Sequence, residues 1–292
     1  MNASDIRKKV TDKIVQSIEK GDALCWRRPW SNDVNGFGLA TSLSSGAAYK
    51  GVNQVFLQAV AAEYGIRSRW FGTYNQIRTA GASVKKGERG IKVVLWKPIK
   101  REKADKDGKK KETTFFVIRE FTVFSVEQTT GLNQYRVGFD QPPRNESASF
   151  ESADVFFNSL GIKLKFGGNK ALYCFDGDFI RMPFKHQFES DARYMETIAH
   201  ECIHWCERRI NFDRSKYENS YAFGELVAEL GSCFLCQELG IPVSLENSTA
   251  YVEHWLRGMK SDTKFIFDAA SIASKAVDFL LTIGGTPKAS VA

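Results

Sequence analysis

The residues best suited to chemistry lie in the segment TIAHECIHWC, at positions 197–206. His200, Glu201 and His204 form the pattern H-E-x-x-H. On an α-helix, residues four apart lie on one face about one turn apart, so both imidazoles can direct a nitrogen at one metal ion. Glu201 can then take a proton from a water molecule as that water attacks a carbonyl group. The pattern predicts a zinc-dependent hydrolytic site with Glu201 as its catalytic residue.

The third protein ligand is expected from a second helix further along the chain. A catalytic zinc ion takes three protein ligands and one water. The segment YAFGELVAELG offers Glu225 and Glu229, which are four residues apart and therefore face the same way. One is predicted to bind the metal and the other to accept a hydrogen bond from a histidine ring, and spacing alone leaves both assignments open. Two histidines and a glutamate suit several divalent ions, so Mn²⁺ or Co²⁺ is an alternative to Zn²⁺.

Cysteines offer a competing metal site. Cys233 and Cys236 form a lone C-x-x-C, and Cys202 and Cys206 flank His204. A structural zinc site usually pairs two such motifs on turns, whereas these lie within predicted helices. We interpret them as small core residues with free thiols in a reducing cytoplasm.

Charge divides the chain into two unlike halves. The 292 residues suggest two domains, and the net charge of +7 divides into +11 for residues 1–150 and −4 for residues 151–292. A strongly basic half attracts a polyanion, of which nucleic acid is the commonest. No run of 18 apolar residues predicts a membrane span, and the charged N-terminus is unlike a signal peptide. We therefore expect a cytoplasmic protein with no membrane partner.

The basic half interleaves aromatic residues with cations. Bases of a single strand stack on aromatic faces while cations track its phosphates, so this pattern predicts single-stranded DNA binding without sequence readout. The alternative is that the tryptophans pack in the core and the lysines are solvated. The candidate DNA-binding residues are Trp26, Arg27, Arg28, Trp30, Lys50, Asn53, Arg69, Trp70, Tyr74, Gln76, Lys85, Lys86 and Arg89.

Hydrophobic periodicity and turn residues predict an α+β protein of two domains. The first half is predicted to have helices at 4–20, 53–63 and 73–80, and strands at 90–96 and 115–126. The charged stretch at 100–112 between these strands is predicted to be a solvated hairpin connection or a mobile loop. In the second half a helix at 153–160 precedes a hairpin around Asp176-Gly177, and helices follow at 190–209, 220–239, 246–257 and 263–281. A Pro-Pro pair among small polar residues marks a linker. The predicted division is 1–135, a linker at 136–150, and 151–292.

Several stretches carry a resemblance to a known family. SIEKGDALCWRRPW, YKGVNQVFL, RWFGTYNQIRTAGASVKKGERGIKVVLW and FTVFSVEQTTGL resemble the single-stranded-DNA-binding domain of the ArdC family, antirestriction proteins of conjugative plasmids. AHECIHWCE and YAFGELVAELGSCFLCQELGIP resemble the zincin-like metallopeptidase domain that follows it in such proteins. The resemblance covers most of the chain. It implies a mixed α/β DNA-binding domain joined to a mainly helical, zincin-like domain with a small antiparallel sheet.

The same resemblance implies a function. The family shields incoming plasmid DNA from host restriction, which makes single-stranded DNA and a protein of the host restriction system the expected partners. The helix with Glu225 also resembles the third-ligand helix of thermolysin-like gluzincins, which favours Glu225 over Glu229. Two other functions stay open: a metalloprotease recruited to DNA-bound proteins, and a passive DNA coat whose metal site is structural.

Overall fold

The computed structural model describes residues 3–20, 31, 33–104, 110–139, 145–217, 219–243 and 249–285. In the described first half, three helices are followed or separated by six strands that form two sheets. The larger sheet has the strand order β1-β2-β5-β4, with β1 parallel to β2 and the other pairs antiparallel, and β3 pairs with β6. The elements are α1 (Ala3–Glu19), β1 (Thr41–Ser42), α2 (Val52–Tyr64), β2 (Trp70–Thr73), α3 (Tyr74–Thr79), β3 (Ser83–Val84), β4 (Ile91–Ala104), β5 (Lys110–Ser125) and β6 (Thr129–Thr130).

β4 and β5 form a ribbon that is longer than predicted. Their antiparallel register runs from Ile91 opposite Val123 to Ala104 opposite Lys110. The stretch at 100–112 was predicted as a hairpin connection or a mobile loop. The strands form a hairpin pair, and they extend into this stretch at both ends, to residue 104 and from residue 110; residues 105–109 lie outside the described residues. A strand ladder is built from backbone hydrogen bonds, so a charged sequence does not interrupt it.

The second half is mainly helical and carries one small sheet. β9 lies between β7, to which it runs parallel, and β8, to which it runs antiparallel. The predicted hairpin is the β8–β9 pair, while β7 was missed because three residues are too few to show an alternating pattern. The elements are α4 (Glu146–Ser159), β7 (Leu164–Phe166), β8 (Leu172–Cys174), β9 (Phe179–Met182), α5 (Asp191–Cys206), α6 (Ser220–Leu239), α7 (Thr249–Ser261) and α8 (Phe265–Gly284).

The predicted two-part α+β architecture is confirmed, and a continuous apolar core joins the parts. Ile6, Val10 and Ile14 of α1 are buried in the same cluster as the apolar residues of α5, α6 and α8. The Thr11 hydroxyl donates to the Thr263 carbonyl at 3.2 Å, which fastens α1 to the segment between α7 and α8. The predicted linker at 136–150 includes residues 140–144, which lie outside the described residues.

A second set of contacts joins α2 to α8. The Lys50 ammonium donates to the Asp278 carboxylate at 2.6–2.7 Å, and the Gly51 amide donates to the Ser274 hydroxyl at 2.9 Å. α1 and α2 therefore both rest on the helical half. No helix in the described ranges has the length and apolar character needed to cross a bilayer.

Candidate metal centre

Two helices that pack closely together position the candidate metal ligands. The Ser190 hydroxyl accepts the amide of Arg193 at the start of α5, and the Asn219 side chain accepts the amide of Ala222 at the start of α6. Further along α6, a methyl group added to Gly231 would lie 2.8 Å from the Ile203 side chain. A glycine is therefore needed for α5 and α6 to approach this closely, and the approach brings His204 opposite the first turns of α6.

His200, His204 and Glu225 converge at separations that fit one ion. The two Nε2 atoms are 3.2 Å apart, and the Glu225 carboxylate oxygens lie 3.5 Å from His200 Nε2 and 3.4 Å from His204 Nε2. Ligand atoms at about 2.1 Å from a tetrahedral ion stand about 3.4 Å from one another. Among the described residues these three form a group able to hold a metal ion. The donor set is thus compatible with a divalent cation without rearrangement.

Glu229 occupies a different position from Glu225. Its carboxylate lies 3.9 Å from Nδ1 of His200, on the opposite side of that ring from Nε2. This distance is longer than a hydrogen bond, so the interaction is electrostatic. The geometry separates the two glutamates that sequence spacing left equivalent, with Glu225 among the donors and Glu229 behind His200.

Glu207 and Arg214 hold the ring of His204 in place. Nδ1 of His204 is 2.8 Å from the Glu207 carboxylate, which also accepts from Nε of Arg214 at 3.0 Å. Burial alone would lower the pKa of His204, but hydrogen bonds to the Glu207 and Glu225 carboxylates outweigh it and raise that pKa to about 9. Burial likewise opposes a low pKa for Glu225, yet the two histidines hold it well below its usual range. With Nδ1 engaged by Glu207, Nε2 is directed at Glu225.

Sequence reasoning missed both of these supporting residues. Glu207 follows His204 by three residues and so lies on the same helical face, a spacing that extends the motif to H-E-x-x-H-x-x-E. Arg214 lies in a short 3-10 turn between α5 and α6, where no periodic signal marks it.

The proposed catalytic residue Glu201 lies at the edge of an open cleft. Its side chain is buried at 8% exposure, and it lines a cavity of about 740 Å³ together with the metal-site histidines. Tyr173 and Phe175 contribute from the β8 side of the cleft, and Arg214 and Tyr221 contribute from the side of α6. The cleft therefore connects the histidine pair to solvent.

The cysteines near the site pack as apolar residues, as the sequence indicated. Cys202, Cys206, Cys233 and Cys236 carry thiols, not disulfides, and are buried in the core between the helices. Burial raises the pKa of the Cys206 thiol to about 12, as expected for a thiol packed among apolar side chains.

Two family models match the chain, one in the basic half and one in the acidic half. Residues 4–124 match the N-terminal domain of the anti-restriction factor ArdC, and residues 151–272 match a zincin-like metallopeptidase family. The metal-free crystal structure of the antirestriction protein ArdC from plasmid R388 is 37% identical and covers 97% of this chain and 99% of its own, with a TM-score of 0.79. The chain belongs to the ArdC antirestriction family. The Mn(II)-bound structure of the R388 protein is similar at 36% identity and a TM-score of 0.76.

Two curated relatives extend the ArdC comparison. The uncharacterised protein y4eC of Sinorhizobium fredii is 33% identical over 95% of this chain and 92% of its own length. DNA primase TraC of Escherichia coli is 30% identical over 93% of this chain, which spans only 19% of that relative. An ArdC-like unit of this extent is therefore also part of a much longer protein.

The candidate DNA-binding residues of this ArdC-family chain fall into three groups. Trp26, Arg27, Arg28 and Trp30 lie outside the described residues. Tyr74 is exposed at 52%, and the side chains of Lys50, Lys85, Lys86 and Arg89 are also exposed. Lys50 is paired with Asp278, and the Lys85 ammonium donates to the Glu127 carbonyl at 2.8 Å.

The remaining four candidates have internal contacts. The Asn53 amide donates to the Val94 carbonyl and accepts the Val94 amide, at 2.6 and 2.8 Å, which joins α2 to β4. The indole of Trp70 donates to Asn35 at 2.9 Å, and its ring lies 5.1 Å from the Arg69 guanidinium. Gln76 closes the capping box that starts α3 and donates to Ser44. These four residues hold the framework, so the exposed residues are better probes of DNA binding.

We expect Glu207→Gln to weaken divalent-metal binding about 10- to 100-fold, because the ring of His204 loses its charged hydrogen-bond partner. Isothermal titration of the metal-free protein with Zn²⁺ measures the change. Asp176→Asn is the matched control, since Asp176 is an exposed carboxylate at the hairpin turn. Equal affinities of the Glu207→Gln variant and the wild type would contradict a positioning role for Glu207.

Proposed function

We propose that the protein is an antirestriction factor that binds single-stranded DNA through its first half and carries a metallopeptidase-like site in its second. The observation that carries the proposal is the convergence of His200, His204 and Glu225 at separations of 3.2–3.5 Å, beside Glu201. The antirestriction role rests on membership of the ArdC family over nearly the whole chain. Free thiols at the described cysteines fit the proposed reducing cytoplasm.

The proposed site combines three metal ligands with four further side chains. A divalent ion bound by His200, His204 and Glu225 would polarise a peptide carbonyl and acidify a water molecule. Glu201 accepts the proton of the attacking water and delivers it to the leaving amine. Glu207 fixes the ring of His204, so the donor atoms are in place before substrate arrives. The hydroxyl of Tyr221 and the guanidinium of Arg214 supply hydrogen-bond donors to the same cleft.

Zinc is the proposed ion, with manganese or cobalt as alternatives. The zincin-like family description implies a divalent metal, and the R388 relative was crystallised with Mn(II). Two imidazoles and one carboxylate can bind any of these three ions, so the availability of each metal in the cell determines which one is bound.

Single-strand binding is proposed for the exposed residues of the first half. Residues 1–150 carry a net charge of +11, which attracts the phosphates of DNA. Lys86 and Arg89 are exposed cations close to Lys85 in the sequence. Tyr74 offers an exposed ring for base stacking. Two further functions remain alternatives: a protease recruited to DNA-bound proteins, and a passive coat with a structural metal.

We expect Lys86→Ala combined with Arg89→Ala to weaken binding of a single-stranded oligonucleotide and to flatten its salt dependence. Each lost phosphate contact lowers the slope of log K against log salt by about 0.7. Fluorescence anisotropy at several salt concentrations measures both quantities. Lys275→Ala is the control, because Lys275 is an exposed lysine of α8 in the acidic half. An unchanged slope in the double variant would place DNA elsewhere on the molecule.

A further inference from the structure

Three aromatic rings stack on the surface of the metallopeptidase-like half. Phe166 and Phe184 are nearly parallel, with ring centroids 6.3 Å apart and an interplanar angle of 18°. Phe184 and His186 continue the stack at 5.7 Å and 8°. Phe166 is 50% exposed and Phe184 is 48% exposed, which is unusual for side chains of this size. We call Phe166, Phe184 and His186 the aromatic stack.

Hydrogen bonds join the two backbone segments that carry the rings of the aromatic stack. The Gly167 amide donates to the Met182 carbonyl at 2.9 Å, beside Phe166 at the end of β7. Gln187 accepts the Phe184 amide at 2.7 Å and donates to the Gly168 carbonyl at 3.2 Å. The two segments that carry the rings are thus tied to each other, so the exposed rings are preorganised and a ligand would not have to order them.

The charge around the aromatic stack differs from that of the half to which it belongs. Residues 161–188 carry a net charge of +3, although residues 151–292 as a whole carry −4. Lys163 and Lys170 are exposed and close to Phe166 in the sequence. Lys165 lies on the opposite face of β7 from Phe166, and its ammonium lies over the Phe179 ring at 3.7 Å. Lys185 is partly neutralised by Asp154 and Asp191, at 3.5 and 3.3 Å, so Lys163 and Lys170 are the stronger candidates for anion contacts.

We propose that the aromatic stack is a second contact for single-stranded nucleic acid, on the half of the chain that overall charge would exclude. Exposed ring faces beside cations are the combination that binds bases and phosphates of single strands. A base inserted between two rings would require them to stand about 6.8 Å apart, which is twice the stacking distance of about 3.4 Å. The centroids of neighbouring rings are only 6.3 and 5.7 Å apart, so a base does not fit between them. Bases therefore stack on the outer faces of the stack, which are those of Phe166 and His186, with phosphates at Lys163 and Lys170. The inference rests on the proposed single-strand binding of the protein.

The location of the aromatic stack gives it a role distinct from the first half. The stack lies at the ends of β7 and β9, while β8 of the same sheet lines the metal cleft through Leu172 and Tyr173. A strand held on the first half and at the aromatic stack would pass over both halves of the chain. The DNA would then be held on the same sheet that forms one wall of the cleft.

The test uses the full-length protein and a fluorescein-labelled oligothymidylate. We expect Phe166→Ala combined with His186→Ala, which removes both outer rings, to weaken binding by about 5- to 150-fold for each base that loses its stacking partner. Phe166→Tyr should keep wild-type affinity because it retains an outer ring. Val155→Ala is the control, since Val155 is a 70% exposed apolar residue of α4 in the same half. Lys163→Ala with Lys170→Ala should flatten the salt dependence by about 0.7 for each contact.

Cross-linking gives an independent readout. Irradiation of the wild-type protein with a 5-bromouracil oligonucleotide should give adducts on the peptides that contain Phe166 or His186, and this result decides the question if the double variant folds poorly. A folded double variant with wild-type affinity, or adducts confined to the first half, would overturn the inference. Unchanged DNA affinity with reduced metal-dependent peptide cleavage would overturn it in favour of a peptide contact. A wild-type protein that binds no single strand would instead contradict the proposed function.

Discussion

Replacing His204 by alanine is expected to lower the metal content of the purified protein from about one divalent ion per chain to nearly none. His204 provides one of three converging donor atoms, and His200 and Glu225 alone leave a two-ligand site. An ion that binds only the native state at 1,000 times its Kd stabilises the fold by about 4 kcal/mol. The wild-type protein should therefore gain thermal stability on addition of Zn²⁺, and the variant should not. Elemental mass spectrometry and thermal denaturation measure the two effects.

The control for this experiment is His254→Ala. His254 is an exposed histidine of α7 in the same half of the chain, so its loss removes an imidazole without touching the convergent donors. If the His204→Ala variant holds Zn²⁺ as tightly as the control, His204 is not a ligand and the proposed site is wrong.

Replacing Glu201 by glutamine is expected to lower metal-dependent peptide hydrolysis by about 10²- to 10⁴-fold, the usual contribution of a general base. The amide has nearly the shape of the carboxylate but cannot accept a proton from water. Metal content and DNA affinity should stay at wild-type values, because Glu201 is not among the convergent donors. The control is Glu196→Gln, a second buried glutamate of α5, which lies 3.5 Å from Arg193.

The Glu201→Gln variant also separates the proposed functions. If antirestriction depends on proteolysis, cells that express the variant should no longer protect incoming unmodified DNA. Full protection by a variant that retains its metal would favour a passive coat. Hydrolysis at the wild-type rate would show that Glu201 does not have the assigned role.

The sequence predicted the helices of the candidate site because their apolar residues recur with helical spacing. Spacing alone could not choose between Glu225 and Glu229, since residues four apart face the same way on one helix, although the resemblance to a gluzincin third-ligand helix favoured Glu225. The choice depends on how α5 packs against α6, which places Glu225 near Nε2 of both histidines and Glu229 near Nδ1 of one. That packing in turn depends on a side chain being absent at Gly231.

The sequence was a weaker guide to the candidate DNA-binding surface than to the metal site, for a related reason. Asn53 and Trp70 are residue types that contact nucleic acid, but their polar atoms are used by Val94 and Asn35 inside the protein. Residue type does not reveal whether a side chain is already engaged with its own fold. The contact proposed for the aromatic stack has no signal in the sequence, because Phe166 and Phe184 are distant in sequence and belong to an acidic half.

The core shared by α1 and the helical half makes the protein one cooperative unit for unfolding. Because α1 packs against α7 and shares the core of the helical half, the first half cannot separate without exposing Ile6, Val10 and Ile14 to water. The free energy released when an ion binds between α5 and α6 is then available to both halves, and loss of the ion lowers the melting temperature of the first half as well. Metal supply would thereby set the stability of the proposed DNA-binding surface, even though none of its described candidate residues lines the cleft at the metal ligands.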